Sequence, residues 1–430
     1  MFSLSNFFTY KSVPRDISTF SLVLLLIPLA LISGPAIPDI CLSLIALYFL
    51  IKSIIYKYWS YYNNPIVYGF LLFSLYGILR SIFSEFPIES LTKEGSVFFF
   101  RYIFFSMGVW YLLDNNKYLT KQLIYIIIFC LIIVGLDGIY QYFNEVNIFG
   151  IEKFSSSRLT GLFGDEPIIG RYISSFSIIV IALSYKYFQF SKFVGLYTIL
   201  LIIFSLVVTF LSGERAPLFY IALYSLFIFI ILPIKSYFKI IGFILPLILI
   251  FIFTQVNPSA KSRIIDMTIK QVTETRLPFL PYSKHHEAHY ISALKMFNSN
   301  PLFGIGTNTF SIMCQKKEYK FNSISCSSHP HNFYIQVLAE LGIFGFLFII
   351  SFFGYISFHL IKNILGKTIF KKNKYISYDL ILFTGILFIF WWPVIPHMSL
   401  YNNWNNVIIM LPLGFFMRYI YQVKINGNPI

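Results

Sequence analysis

His331 is the residue best suited to acid–base chemistry in this sequence. It stands in His329-Pro330-His331-Asn332, directly before an apolar run, residues 333–359, that is long enough to cross a bilayer as a helix. A neutral imidazole can accept a hydroxyl proton near pH 7. We therefore expect His331 to be a general base at the point where a hydrated loop meets a membrane helix. A solvated or helix-capping histidine is the alternative.

The other histidines raise the question of a metal site. Five of the seven lie in one predicted loop or at its edge: His285, His286, His289, His329 and His331. His285 and His289 form a lone i, i+4 pair without a carboxylate in a metal-binding order. A serine nucleophile would need a nucleophile-elbow glycine pattern, which the sequence lacks. Neither a metal nor a cofactor is predicted.

A second chemical signal comes from charged residues inside apolar runs, which are costly in a membrane and are therefore candidates for function. These are Arg80, Arg101, Asp137, Arg171 and Arg215. Guanidinium holds phosphate oxygens bidentately and stays charged when partly desolvated. Arg215 also begins a predicted helix, whose free N–H groups favour an anion. Several arginines at one depth predict a site for a lipid-linked diphosphate, although snorkelling to the interface explains Arg80 or Arg171 taken alone.

Carboxylates are expected to support this site rather than to react. Asp137, Asp165 and Glu166 are expected to orient the arginines. Glu340 lies deeper in the apolar run that follows His331 and points away from that histidine. We interpret Glu340 as a structural or pairing residue.

The elements that position these residues follow from composition. A mean hydropathy of +0.72, with 57% hydrophobic and 12% charged residues, excludes an ordinary soluble globule. The net charge of +15 is therefore interpreted by location and not as a nucleic-acid signal. The fold class predicted is an all-α polytopic membrane protein with about twelve transmembrane helices. They are placed near residues 18–34, 37–56, 65–83, 95–113, 121–142, 168–185, 193–211, 217–234, 238–254, 333–360, 377–395 and 404–421.

Successive connections between the predicted helices are alternately rich and poor in lysine and arginine, and this pattern predicts the orientation of the helices in the membrane. Both termini are predicted to be cytoplasmic, and no cleavable signal peptide is apparent. The long connection, residues 255–332, is then periplasmic if the cell is a Gram-negative bacterium. The chain divides into helices one to nine (1–254), the large loop (255–332) and helices ten to twelve (333–430). The protein is expected in a bacterial inner membrane, with its active site facing the periplasm.

The large loop carries nine Lys/Arg and four Asp/Glu, a net charge of +5. Such a basic cap suits an anionic substrate, although it would also serve simply to keep a loop soluble. Helices are predicted over Ser259–Thr273 and Lys284–Phe297, the second with the apolar face Ala288, Ile291, Leu294 and Phe297.

Cysteines follow two patterns. Cys314 and Cys326 could close a disulfide in an oxidising compartment, or remain free thiols. Cys41 and Cys130 lie in apolar runs as small core residues.

Glycines follow His331 at helical spacing. Counting from His331, residues Ile335, Leu338, Gly342 and Gly345 fall near one helical face. Small residues in membranes let helices approach closely. This face is therefore predicted to pack against a neighbouring helix.

Several motifs together resemble the bacterial O-antigen ligase and O-antigen polymerase superfamily of lipid-linked glycan transferases. His331-Asn332 followed after nine residues by Gly342-Ile343-Phe344-Gly345 is similar to its signature. The segments that resemble its other motifs are Arg158–Phe163, Ser212-Gly213-Glu214-Arg215, and Asn300–Gly306 with Phe310. Family members often have an arginine at the start of the polar loop helix, where this chain has Lys284; Arg276 or Lys284 could substitute.

The resemblance implies transfer of a sugar chain from undecaprenyl diphosphate to an acceptor hydroxyl, with inversion and without metal or nucleotide sugar. His331 would be the catalytic base. The residues implied to bind substrate are Arg215, Arg158, Arg171, Arg101, Arg80, Asn332 and His286.

We favour an O-antigen ligase with a lipid A-core acceptor, because of the spacing between His331-Asn332 and the two glycines. A polymerase, whose acceptor is a second lipid-linked glycan, is the alternative within the superfamily. A lipid-linked glycan transporter would place charges at the membrane midplane and show pseudo-symmetric halves, which this sequence does not. No nucleic-acid partner is expected.

Overall fold

The computed structural model describes residues 13–188, 192–256, 258–274, 283–368 and 377–425. These residues are mainly helical, and their only β-structure is two isolated bridges. Nine of the described helices are long and apolar enough to cross a membrane, and three shorter apolar helices accompany them. The protein is an all-α polytopic membrane protein, as its composition predicts.

Twelve apolar helices and one polar helix, α10, form the framework. They are α1 (Arg15–Ala30), α2 (Ala36–Ile55), α3 (Pro65–Ile82), α4 (Arg101–Asn115), α5 (Leu119–Asn144), α6 (Ile169–Phe188), α7 (Lys192–Leu211), α8 (Arg215–Ile231), α9 (Ser236–Val256), α10 (Lys284–Ser299), α11 (Phe333–Thr368), α12 (Tyr378–Phe390) and α13 (Asn403–Ile425). Each predicted apolar segment coincides with one of these helices. The largest offsets are at the end of α11, which continues to Thr368, and at the start of α4, where residues 93–98 form a separate 3₁₀ turn.

Helix α6 lies at the centre of the bundle. It packs against α5, α7, α8 and α12, and its residues from Ile169 to Tyr185 are buried. A helix that is apolar on all sides is stable only when other helices surround it. The first turn of α6, which carries Arg171, is therefore held rigidly by the core.

Helix α11 is interrupted at Gly342, whose φ of +64° is left-handed. A Cβ at Gly342 would lie 2.3 Å from the carbonyl oxygen of Leu302. The loop Leu302–Gly304 therefore occupies the space that we predicted for a neighbouring helix, and that prediction was wrong. A Cβ at Gly345 would meet only side chains of its own helix. His331 itself has φ +55° and precedes the helix, so helical counting from it does not hold.

The backbone carbonyl oxygens that the break in α11 leaves free accept hydrogen bonds from the loop. Ile305 and Gly306 donate hydrogen bonds to the carbonyl oxygens of Ala339 and Glu340 at 3.0 and 2.9 Å. The buried Glu340 carboxylate accepts the amides of Asn308 and Phe310 at 2.9 and 3.2 Å. Glu340 thus has the structural role predicted for it.

The large loop folds onto the end of the bundle. Its described part has helical turns over Pro258–Lys261, Ser262–Asp266 and Met267–Glu274, then α10, which packs on α11. Ser283 caps α10 by accepting the amide of His286. Cys314 and Cys326 form a disulfide.

The apolar face predicted for α10 is wrong in part. Leu294 is 41% exposed, whereas Ala293 and Met296 are buried against Phe310. The buried stripe runs through Ala288, Ser292 and Met296. It therefore includes a polar residue, Ser292, which a face chosen for apolar residues alone leaves out.

Candidate active site

A cavity of about 950 Å³ opens at the end of the bundle that carries the large loop. Its size is at the upper end of the range usual for small-molecule sites. Its lining includes arginines from four separate segments, here called the arginine side. It also includes histidines from α10, from the residues before α11 and from the α12–α13 connection, here called the histidine side. Apolar residues of α8 and of residues 392–398 line the rest.

Four arginines face this cavity: Arg158, Arg171, Arg215 and Arg263. Within the described part of the chain, none of the four forms an ion pair with a carboxylate. Burial, followed by the charges of Arg158 and Arg215, lowers the pKa of Arg263 to about 10. Guanidiniums that repel one another, and that the charge of Glu214 offsets only in part, make a site suited to a polyanion.

Arg215 is fixed at the first position of α8. Its guanidinium donates to Gln271 at 2.5 Å and to Thr268 at 3.3 Å. No side chain caps the start of α8, and Arg215 and Ala216 line the cavity. Free N–H groups at a helix start attract anions, so the backbone adds to the positive field of the side chain.

The turn before α8 brings these arginines together. Gly213 has φ +72°, and a Cβ there would lie 2.0 Å from the carbonyl oxygen of Ser157. Arg263 donates to the carbonyl oxygen of Gly213 at 2.9 Å. A glycine at this position therefore lets the segment that carries Arg158 and the loop helix that carries Arg263 both reach the start of α8.

Glu214 is a buried carboxylate on the arginine side. It accepts the amide of Gly170 at 2.5 Å, which ties the start of α8 to the start of α6. Burial raises its pKa to about 7, and the charges of Arg158 and Arg171 act in the opposite direction. Glu214 thus carries only part of a negative charge at neutral pH.

The histidine side is a cluster around His331. The ring of His331 lies 4.4 Å from that of His329, 5.4 Å from His289 and 5.5 Å from His286, measured between centroids. Burial, followed by neighbouring histidines, lowers the pKa of His331 to about 4, and that of His286 and His329 to about 3. The imidazoles are therefore neutral at pH 7 and able to accept a proton.

Hydrogen bonds fix the tautomers of the neighbours. Nδ1–H of His289 donates to the carbonyl oxygen of Ser325 at 2.9 Å, and Nε2–H of His329 donates to that of His397 at 3.2 Å. His286 lines the cavity beside His331, and the charge of Arg215 acts on its ring. The two sides of the cavity meet at this point.

Three predicted binding residues lie outside the cavity lining. Arg80 donates to the carbonyl oxygens of Phe303 and Gly304 at 3.1 and 2.7 Å and so holds the loop that packs on α11. Arg101 forms an ion pair of 2.8 Å with Asp39. Asn332 is buried and caps α11, accepting the amide of Tyr334 at 2.9 Å and donating to the carbonyl oxygen of Pro393 at 2.8 Å.

The predicted orienting carboxylates do not contact the arginines. Asp137 accepts the amide of Ile148 at 3.0 Å instead. Asp165 and Glu166 do not line the cavity, and Glu214 is the carboxylate that does.

Sequence reasoning missed Arg263 and His397 as cavity residues. Arg263 sits in a polar loop helix with no apolar run around it to mark it as costly. His397 follows Pro396 in a short connection and belongs to no motif. It is buried, and burial, followed by the charge of Arg171, lowers its pKa to about 3. Over the described residues, no group of three or more His, Cys, Asp or Glu is arranged to hold a metal ion.

Residues 199–350 match the family described as O-antigen ligase. The match extends from within α7 through the large loop to the first half of α11, and it contains Arg215, Arg263, His286 and His331. This match, over about a third of the chain, supports the resemblance to the O-antigen ligase and O-antigen polymerase superfamily that its motifs indicate. The family supports an activity of the ligase or polymerase type at the membrane. No curated protein sequence matches the chain.

Proposed function

We propose that the protein transfers a glycan from a polyprenyl diphosphate, undecaprenyl diphosphate in bacteria, to an acceptor hydroxyl on lipid A-core. The observation that carries the proposal is one cavity whose lining contains both four arginines and His331. A transferase of this kind needs a grip on an anionic leaving group and a base for the attacking hydroxyl, and the cavity holds residue types suited to both.

The arginines would act on the leaving group. Cleavage of the bond between the anomeric carbon and the diphosphate oxygen leaves the bonding electrons on that oxygen and so adds a negative charge to the terminal phosphate of the lipid diphosphate. Preorganised guanidiniums and helix N–H groups lower the energy of that developing charge most where water is excluded. Arg158, Arg171, Arg215 and Arg263 are the residues assigned to this role.

His331 would act on the acceptor. Its neutral ring accepts the proton of the hydroxyl as the oxygen attacks the anomeric carbon from the face opposite the diphosphate, so the configuration inverts. A pKa near 4 makes it a weak base by itself. A bound diphosphate places negative charge nearby, which favours the imidazolium and raises that pKa. Donor binding would thus prepare the base. No metal or organic cofactor has a step in this scheme.

Apolar residues along the cavity fit the lipid part of the donor. Pro217, Leu218 and Phe219 of α8 line it, as do Trp392 and Val394. A polyprenyl chain could lie along this strip while its diphosphate reaches the arginines. We place this site at the periplasmic face of the inner membrane, on the basis of the distribution of lysine and arginine in the connections.

The test is reconstitution of the purified protein with lipid-linked glycan and either lipid A-core or a second lipid-linked unit. The product size identifies a ligase or a polymerase. His331→Ala should lower the transfer rate by about a hundredfold or more, the usual contribution of a general base. His285→Ala, which removes an exposed ring outside the cavity, is the matched control. Wild-type transfer by His331→Ala would contradict the assignment of the base, and loss of donor export instead of transfer would indicate a transporter.

A further inference from the structure

Two asparagines at the start of α13 bond to two arginines in different surroundings. Oδ1 of Asn405 accepts a hydrogen bond of 2.7 Å from Nη2 of Arg171, which faces the cavity. Oδ1 of Asn403 accepts a bond of 3.0 Å from Nη2 of Arg101, which does not line it. Two side chains of one type, two residues apart, thus hold one arginine inside the site and one outside.

The two arginines differ in their counter-charge. Arg101 also pairs with the carboxylate of Asp39 at 2.8 Å, so its charge is compensated. Arg171 is held by the neutral amide and by two aromatic faces, with its Cζ 4.6 Å from the ring centroid of Tyr220 and 5.4 Å from that of Phe390. An amide and aromatic rings orient a guanidinium without cancelling its charge.

Glu214 is the carboxylate whose charge acts on Arg171. Its Oε1 is committed to the amide of Gly170. Its pKa of about 7 means that it is partly protonated at neutral pH. It therefore compensates Arg171 less than an ionised aspartate at the position of Asn405 would.

Burial makes this hydrogen bond important. Arg171 is only 7% exposed and Asn405 only 3%. A long arginine side chain without such a bond would lose its orientation, and a buried charged donor left without an acceptor is destabilising. Asn405 belongs to α13, which packs on α4 and α12, so its own position is set by the bundle and not by the loop.

We propose that Asn405 is a positioning residue that holds Arg171 in the cavity through a neutral hydrogen bond, so that this bond leaves the positive charge of the guanidinium available to a diphosphate. The inference rests on the proposed function in its choice of ligand. The inference adds that binding of the diphosphate requires Asn405 to be uncharged as well as to accept the hydrogen bond of Arg171.

The experiment measures binding of undecaprenyl diphosphate without a glycan to the detergent-purified protein. Asn405→Asp keeps the shape and the acceptor but adds a negative charge against Arg171. It should weaken binding by about tenfold or more, the effect of losing one charge-assisted hydrogen bond to the ligand. Asn405→Ala, which removes the acceptor, should weaken binding less than Asn405→Asp. Asn403→Asp, which adds the same charge two residues away beside Arg101, should bind within about twofold of wild type.

A double-mutant cycle separates positioning from misfolding. If Asn405 acts through Arg171, then Asn405→Asp should have no further effect on binding in an Arg171→Ala background. An equal loss in both backgrounds would mean a general structural defect and would overturn the inference. Wild-type binding by Asn405→Asp, or no binding of the diphosphate by the wild-type protein, would overturn it as well.

A different measurement, the formation of glycan product, tests the proposed transfer reaction. Glycan transfer that persists while Asn405→Asp binds the diphosphate normally overturns the inference alone. Diphosphate binding that depends on Asn405 and Arg171, in a protein that forms no glycan product, overturns the transfer proposal and supports the inference.

Discussion

The main-chain amide of His397 donates a hydrogen bond of 2.7 Å to the carbonyl oxygen of His331. The carbonyl oxygen of His397 in turn accepts the ring N–H of His329. His331 has a left-handed backbone, which costs a non-glycine residue about 1 kcal/mol or more unless its surroundings hold it. The connection between α12 and α13 thus supplies the bond that keeps the proposed base in this conformation.

The histidine cluster predicts loss of stability in acid. His286, His329, His331 and His397 have folded pKa values of about 3, 3, 4 and 3, below the value near 6.5 of an unfolded histidine. The unfolded chain therefore binds more protons as pH falls below about 6.5. Stability from these groups is complete above that pH and is lost progressively towards pH 4 and below.

Thermal unfolding of the purified protein between pH 7.5 and 4.5 measures this effect. His329→Gln should reduce the dependence of the midpoint on pH, because it removes one of the four groups. His285→Gln, at an exposed site, should leave the pH dependence as it is. A midpoint that does not fall with pH in the wild type would contradict neutral burial of the cluster.

Arg215→Lys tests whether donor binding needs the two parallel N–H groups of a guanidinium or merely a positive charge. Lysine keeps the charge but cannot hold two phosphate oxygens in one plane. The loss of a charge-assisted bond of about 1.5–3 kcal/mol should lower kcat/KM for the lipid-linked donor by roughly tenfold to a hundredfold. Initial rates against donor concentration measure it.

Arg418→Lys is the control for that substitution. Arg418 pairs with Asp114 at 2.6 Å, away from the cavity lining, and lysine can keep that ion pair. Its kinetics should be those of wild type. Full activity of Arg215→Lys would argue against a bidentate diphosphate contact at that residue.

Gly342→Ala should destabilise the protein by about 2 kcal/mol or more. Alanine at φ +64° is strained, and its Cβ would overlap the backbone of Leu302, so the loop would have to move. Gly354→Ala lies in the same helix, where a Cβ has open space within 4 Å, and should be neutral or slightly stabilising. Denaturation midpoints of the two variants should differ accordingly, and equal midpoints would exclude a tight loop contact at Gly342.

Removal of the disulfide should destabilise the large loop. Closing a loop of this length contributes about 3 kcal/mol in the chain-entropy account. Cys314→Ser with Cys326→Ser should lower the thermal midpoint of the purified protein. It should also loosen His289, because Ser325, whose carbonyl oxygen accepts the His289 ring, is adjacent to Cys326.

The same cysteines report on the side of the membrane. In intact cells a membrane-impermeant thiol reagent should label Cys314 and Cys326 only after reduction, if the loop is periplasmic and oxidised. Cys41 and Cys130 are buried free thiols and should not react in the folded protein. Labelling of Cys314 without a reductant would contradict an oxidised loop.

The membrane helices could be predicted because their signal is local. A run of about twenty apolar residues satisfies its own backbone and needs a membrane or a core around it, whatever the rest of the chain does. The alternation of lysine and arginine then supports the number of helices. The motif containing Arg215 was also visible, since a charged residue at the start of an apolar helix is costly without a role.

The cavity could not be derived in full because its members are brought together by tertiary contacts. Arg263 and His397 come from polar connections, where their residue types are unremarkable. Arg101 and Arg171 both lie in apolar runs of the sequence, yet an aspartate from α2 compensates the first and no described carboxylate forms an ion pair with the second. The break at Gly342 was missed since its cause, the backbone of Leu302–Gly304, lies some forty residues earlier in the chain.

Among the described residues, every arginine that lines the cavity precedes residue 275, and every histidine that lines it follows residue 283. The residues proposed to bind the leaving group and those proposed to activate the acceptor thus belong to separate stretches of polypeptide. Two co-expressed fragments divided between residues 274 and 283 would each carry one half of the chemistry. Glycan transfer would return only when the fragments reassemble, so complementation would measure how well the bundle alone brings the halves together.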